Sequence, residues 1–191
     1  MKKYIPNALT TLRLLLVPLF IILIISNEEY SYHYALIVFI FASLTDVLDG
    51  KLARKFNVES RFGAFFDPLA DKILILTAFV LFLNLEELNE IVMPWMVFLI
   101  LFRDLSVTAL RVFIKSRGLS MVTSKIAKLK TAFQLFSITI ILWLLSFYPG
   151  YLFDNAIIKL LMFIVTLFTV STGIDYYYKN LRLILSKDKC T

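Results

Sequence analysis

The stretch from Asp46 to Asp71 reads DVLDGKLARKFNVESRFGAFFDPLAD and sets four aspartates between two long apolar runs. The run that leads into it covers about 33–50 and the run that follows covers about 63–84. Each is near the roughly 20 residues that a helix needs to cross the hydrocarbon core of a bilayer. The stretch therefore reads as a short polar connection between two apolar helices, with its carboxylates at the helix ends.

Further apolar runs lie outward of that pair at 9–26, 92–112, 129–148 and 156–175. Of the 191 residues, 60% are hydrophobic and 18% charged, against roughly 45–50% and about 25% in a soluble domain. The sequence thus predicts an all-α integral membrane protein with six transmembrane helices, and one domain over 1–191 with no repeat or linker to divide it. The first run holds Arg13 and Pro18 and lacks a small-residue cleavage site, so it reads as a retained helix rather than a signal peptide. Ahead of it, MKKYIPNALT reads as a short interfacial segment in which Pro6 starts the helix and Asn7 or Thr10 caps it. The single cysteine, Cys190, leaves no intrachain disulfide and no cysteine metal site.

Basic residues alternate between the connections. Lys2 and Lys3 precede the first run; Lys51, Arg54, Lys55 and Arg61 fall in the connection at 51–62. Arg111, Lys115, Arg117, Lys125, Lys128 and Lys130 fill 111–130, and Lys179, Arg182, Lys187 and Lys189 end the chain. The connections at 27–32, 85–91 and 149–155 carry no Lys or Arg but hold Glu28, Glu29, Glu86, Glu87, Glu90 and Asp154. By the positive-inside bias both termini are cytoplasmic, in the cell membrane. The net charge of +6 then lies on one membrane face, where it favours anionic lipids and substrates and calls for no nucleic acid. Six cations within 111–130 exceed what orientation needs and predict an anion-binding role, while Arg103 and Asp104 read either as part of that region or as a pair inside the bundle.

Asp46 and Asp49 stand three residues apart, within about 60° around a helix axis, and Asp67 and Asp71 four apart, within about 40°. Antiparallel neighbours would bring the two one-sided pairs together. Four carboxylates so placed repel one another, and two divalent cations would neutralise them while keeping positions open for phosphate oxygens. With no His or Cys in the set, the expected ions are hard, Mg²⁺ or Mn²⁺. Gly50 and Ala53 leave room for a bulky ligand at the backbone. Gly63 either does the same or allows close helix packing. Arg54 suits a diphosphate, and Ser60 adds a weaker polar contact. The only histidine, His33, is expected across the membrane from the aspartates, so a proton taken from an alcohol must go to a carboxylate.

The residues Asp46, Asp49, Gly50, Ala53, Arg54, Gly63, Asp67 and Asp71, at these spacings, resemble the motif of the CDP-alcohol phosphatidyltransferase family. The resemblance implies six transmembrane helices, a two-metal site open to the cytoplasm, and transfer of a phosphatidyl group from CDP-diacylglycerol to an alcohol with release of CMP. It also implies that Asp46, Asp49, Asp67 and Asp71 ligate the metals and that Asp71 is the base. Gly50, Ala53, Arg54, Ser60 and Gly63 would contact CDP-diacylglycerol, with Asn7 and Thr10 near its nucleotide or diphosphate. A homodimer is implied as well. The flanks IPNALTTLRLLLVP (5–18) and RDLSVTALRVFIKSRGLSMVTSKIAKLKT (103–131) resemble the phosphatidylglycerophosphate synthase branch, whose acceptor is glycerol 3-phosphate. The expected acceptor ligands are then Arg111, Arg117, Lys125 and Lys128. Sister enzymes acting on inositol phosphate, serine or phosphatidylglycerol share the motif, and a cation or organic-anion transporter is the reading from another class.

Overall fold

The computed structural model describes the backbone over 5–26, 28–56, 61–116, 125–148, 150 and 156–187, and side chains over 11–26, 28–45, 72–114, 129–148, 150 and 156–180. These residues form α1 (Ile5–Ile25), α2 (Ser31–Phe56), α3 (Arg61–Phe82), α4 (Pro94–Ser116), α5 (Lys125–Phe147) and α6 (Ala156–Lys187). A 3-10 turn at Glu86–Leu88 lies between α3 and α4, and there is no strand among the described residues. The shortest helix has 21 residues; at 1.5 Å per residue that is about 31 Å, comparable with a bilayer core about 30 Å thick.

Prolines help to mark the starts. Pro6 falls in the first turn of α1 and Pro94 opens α4, positions where a missing N–H costs nothing and a fixed φ favours the helix. Pro18 lies inside α1 and removes the donor that would have served the Leu14 carbonyl. After α3 the backbone tightens, with Asn84 N–H donating to Leu81 O at 3.0 Å and Leu88 N–H to Leu85 O at 3.0 Å. Leu88 is fully buried and draws this short connection back onto the core.

Several boundaries differ from the sequence reading, among them the connection at 111–130, which shortens because α4 runs to Ser116 and α5 starts at Lys125. The first helix already begins at Ile5, so Asn7 and Thr10 lie within it rather than at its start, and from Ile5 onward the interfacial segment is the first turns of α1. The connection at 51–62 shrinks, because α2 continues to Phe56 and α3 starts at Arg61; Lys51 to Phe56 contain no Gly or Pro to stop a helix. The last helix runs past 175 to Lys187, helped by the exposed Asp175–Lys179 pair at 2.8 Å, one turn apart.

The core is apolar and continuous across the helices. Phe20 of α1 packs on Phe39 of α2 with ring centroids 5.7 Å apart, and Phe79, Phe82, Ile100, Ile138, Ile141, Leu142 and Met162 are fully buried. Large apolar side chains also cover the outside of every helix: Leu15 and Ile22, Ile37 and Phe41, Val80, Phe98 and Phe102, Phe136 and Trp143, Ile157 and Leu167 are all exposed. Meanwhile Arg103, Asp104, Lys130, Gln134, Thr169 and Asn180 are buried. Helices apolar all round with polar groups turned inward belong in lipid. The chain is a membrane protein. Leu129–Phe147 and Ala156–Asn180 are each long and apolar enough to cross a bilayer, and Thr11–Ile25, Ser31–Thr45 and Lys72–Phe82 are shorter apolar stretches among the described residues.

Side-chain contacts fix which helix ends lie together. His33, near the start of α2, meets Phe147 at the end of α5 at 4.8 Å, and Trp95 and Phe163, near the starts of α4 and α6, meet at 6.3 Å. Toward the opposite end, Lys130 of α5 reaches Asp104 of α4 and Arg103 of α4 reaches Thr172 of α6. Lys72 of α3 joins the same group. The end of α2, joined to the start of α3, is therefore on the side where α4 ends and α5 begins.

Candidate active site

The four aspartates lie on two helices, α2 ending and α3 starting on this side of the bundle. Asp46, Asp49, Gly50, Ala53 and Arg54 are in α2, and Gly63, Asp67 and Asp71 are in α3. The backbone is helical through both pairs, so the spacings of three and four residues place each pair on one side of its helix. Their side chains lie outside the described residues, as do those of Asn7 and Thr10 in α1 and of Lys125 and Lys128 in α5; Ser60 and Arg117 lie outside them altogether. His33 is at the other end of the bundle, its ring between Phe147 at 4.8 Å and Tyr30 at 5.7 Å.

As a donor set, the four aspartates would fit two hard divalent ions. The set consists of carboxylates only, carried on uninterrupted helical backbone whose own polar groups are bonded within the helix, so side-chain oxygens are the ligands on offer. Among the described side chains no cluster of His, Cys, Asp or Glu could hold a metal ion.

Beside α3 lies a buried ionic cluster. Arg103 Nη1 donates to Asp104 Oδ1 at 2.8 Å, and Lys130 Nζ donates to both Asp104 carboxylate oxygens at 2.5 Å. Arg103 Nη2 donates to Thr172 Oγ1 at 3.1 Å. The Asp104 backbone carbonyl accepts from Thr108 Oγ1 at 2.6 Å and from Lys72 Nζ at 3.0 Å, and Lys72 also bonds the Thr108 hydroxyl. Four helices meet here. Of the two readings of Arg103 and Asp104, the pair inside the bundle is the one observed. Lys130, one of the six cations of 111–130, is occupied by Asp104 and 3% exposed.

Helical register sorts the remaining cations. Arg111 follows Asp104 by seven residues and Thr108 by three, which puts it on the same stripe of α4. Its Nε is buried with no hydrogen-bond partner among the described residues. On α5, Lys125 shares a stripe with Leu129 and Phe136, which are 62% and 58% exposed. Lys128 falls on the stripe of Leu135, Thr139 and Leu142, which is half-buried to buried.

Sequence reasoning offers Lys72 only as a candidate partner of the aspartates and does not find Thr108, Thr172 or Gly173 as parts of this end of the bundle. A β-carbon on Gly173 would come 2.7 Å from Arg103 Cγ, so the glycine makes room for the guanidinium arm. The only sequence signal was an Arg-Asp dipeptide and a lone Lys embedded in apolar runs. Their partners are 26, 36 and 69 residues distant.

A family model described as CDP-alcohol phosphatidyltransferase matches residues 3–172. The chain belongs to the CDP-alcohol phosphatidyltransferase family. It is similar to the CDP-diacylglycerol–glycerol-3-phosphate 3-phosphatidyltransferase of Rickettsia typhi, 34% identical over 175 residues that cover 92% of this chain and 96% of the relative. Proteins of the same name from Bacillus subtilis and Haemophilus influenzae are 32% identical over 187 residues and 35% identical over 181. Those alignments cover 92% of this chain and 94% and 92% of the respective relatives.

Proposed function

We propose that this chain transfers the phosphatidyl group of CDP-diacylglycerol to glycerol 3-phosphate, yielding phosphatidylglycerophosphate and CMP in phospholipid synthesis. The observation that carries this reading is the junction of α3 with α4. The helix bearing Asp67 and Asp71 is bonded through Lys72 to the stripe that leads from Asp104 to Arg111, where a buried guanidinium N–H has no described partner. A carboxylate-rich helix beside a cation with an unpartnered N–H suits a reaction that joins a metal-held diphosphate to a phosphorylated alcohol. The names of the relatives support the same substrates.

In this reading all six helices span the cell membrane, both termini are cytoplasmic, and the site opens to the cytoplasm. The diphosphate of CDP-diacylglycerol lies across the ends of α2 and α3 while its acyl chains extend between helices into lipid. Gly50, Ala53 and Gly63 admit it close to the backbone, Arg54 and Ser60 hold it, and Asn7 and Thr10 on α1 lie near the nucleotide. Asp46, Asp49, Asp67 and Asp71 would hold two Mg²⁺ or Mn²⁺ ions, which when bound offset the clustered negative charge and polarise the phosphoryl oxygens. Arg111 and Lys128 bind the phosphate of glycerol 3-phosphate, with Arg117 and Lys125 adding positive charge around the entrance. Asp71 takes the proton of the acceptor's primary hydroxyl as its oxygen bonds to the phosphorus that bears diacylglycerol. The bond from that phosphorus to the CMP oxygen breaks, and CMP leaves with the electron pair. The protein works as a homodimer.

The test is CMP release by the purified protein in detergent, from CDP-diacylglycerol with glycerol 3-phosphate, serine, inositol phosphate or phosphatidylglycerol as acceptor, with and without Mg²⁺ or Mn²⁺. Metal-dependent release with glycerol 3-phosphate alone is expected. Release with a different acceptor in its place overturns the assignment.

A further inference from the structure

We infer that Lys72 is a positioning residue, pinned by the Asp104 carbonyl and the Thr108 hydroxyl so that it sets the rotation of α3 about its axis and thereby the direction in which Asp67 and Asp71 are presented. The inference rests on the reading of those two aspartates as metal ligands. Its geometric basis is independent of which alcohol accepts the phosphatidyl group.

Lys72 follows Asp71 directly in α3, so the two side chains leave the helix about 100° apart, and Asp67 leaves a further 40° round in the same sense. Fixing the azimuth of Lys72 therefore fixes both carboxylates. The magnitude matters: a rotation of 10° moves an atom ~5 Å from a helix axis by about 0.9 Å. Metal–ligand distances tolerate only about 0.2 Å. Among the described residues of α3, the buried apolar side chains begin at Leu74, so the pin stands between the apolar packing and the carboxylates.

The anchor is itself rigid. Thr108 and Lys72 both donate to the Asp104 carbonyl, while the Asp104 carboxylate is held by Arg103 and by both bonds from Lys130. Arg103 is tied in turn to Thr172 and fitted against Gly173. The amine of Lys72 thus meets a point on α4 immobilised from α5 and α6, with Lys72 half-buried and Thr108 7% exposed. An ordinary surface lysine would have no such seat.

The experiment measures Mn²⁺ binding to the purified protein without substrate, by the loss of free-ion paramagnetic resonance signal, alongside thermal stability and the split between kcat and KM. Lys72→Met and Thr108→Val should each weaken Mn²⁺ binding by about 10-fold, the usual effect of losing a group that orients metal ligands. Both should lower kcat more than they change the KM for CDP-diacylglycerol, and Lys72→Arg should recover part of the loss. Thr108→Val changes no charge, so it stands if Lys72→Met fails to fold. A merely stabilising role predicts a lower melting temperature with unchanged Mn²⁺ affinity, and a purely electrostatic role predicts tighter binding once the cation is removed; either result overturns the inference. Asp67→Asn and Asp71→Asn separate the two readings. If they leave Mn²⁺ binding intact, the metal site and the positioning role both fall. If they abolish it while Lys72→Met and Thr108→Val do not change it, only the positioning role falls.

Discussion

Lys130 Nζ lies 2.5 Å from both carboxylate oxygens of Asp104, with the two residues 3% and 1% exposed. This bidentate bond joins α5 to α4 where no water can replace either partner. Asp104 also holds Arg103, so removing the carboxylate leaves two buried cations without their shared counter-charge, at a cost of about 3–5 kcal/mol, whereas removing Lys130 leaves Asp104 paired with Arg103. Asp104→Asn should lower the thermal midpoint sharply in detergent and Lys130→Met should lower it less. Equal losses in the two variants would show that Arg103 does not share the carboxylate.

Gly173→Ala tests the fit of Arg103. The added carbon would meet Arg103 Cγ at 2.7 Å, and the side chain is bonded to Asp104 and to Thr172, so it has little freedom to yield. Overpacking of about 1–3 kcal/mol outweighs the roughly 1 kcal/mol that alanine gains over glycine in a helix. Gly150→Ala is the control, with nothing within 4 Å of its new β-carbon. A stability rise at 173 equal to that at 150 would contradict the contact.

Asp71→Asn should reduce CMP release by at least about 100-fold, the lower range for losing a general base, while leaving the helical fold intact by circular dichroism. Near wild-type turnover would remove Asp71 as base.

Among the basic residues, Arg111→Ala and Lys128→Ala should raise the KM for glycerol 3-phosphate about 10-fold or more, since a charged hydrogen bond contributes about 1.5–3 kcal/mol. Lys125→Ala should matter least, because its stripe on α5 continues into the exposed Leu129 and Phe136. An equal effect at all three positions would mean that charge density, rather than register, governs acceptor binding.

Chelation offers a broader check. EDTA should stop turnover, and Mg²⁺ or Mn²⁺ should restore it, in keeping with an oxygen-only donor set. Restoration by Zn²⁺ alone would point to ligands outside the four aspartates.

Much of the fold could be read from the sequence because apolar runs and the prolines at 6 and 94 mark helices by local chemistry alone. The helix ends were harder. Lys51 to Phe56 lies beyond the apolar run, yet the segment lacks a residue that breaks a helix and remains in α2. Asn7 and Thr10 are cap-forming residue types, yet the helix has already started at Ile5. The carboxylate pairs were legible because i,i+3 and i,i+4 spacings translate directly into one helix face. The cluster around Asp104 was not. Its members come from four helices, and no local pattern announces that Lys130 faces Asp104 or that Lys72 reaches Thr108.

That cluster also bears on how the chain enters the membrane. On the six-span reading, α4 carries Arg103 and Asp104 within its length, and such charges cost on the order of 2.5–3.5 kcal/mol each near the middle of an inserting helix. The two pair with each other, but the rest of their compensation arrives later in synthesis, with Lys130 of α5 and Thr172 of α6. A nascent chain that stops after Ser116 would therefore hold its fourth segment poorly, at the translocon or slipping from it, until the following helices arrive. On that reading α4, α5 and α6 would be committed to lipid together rather than one by one.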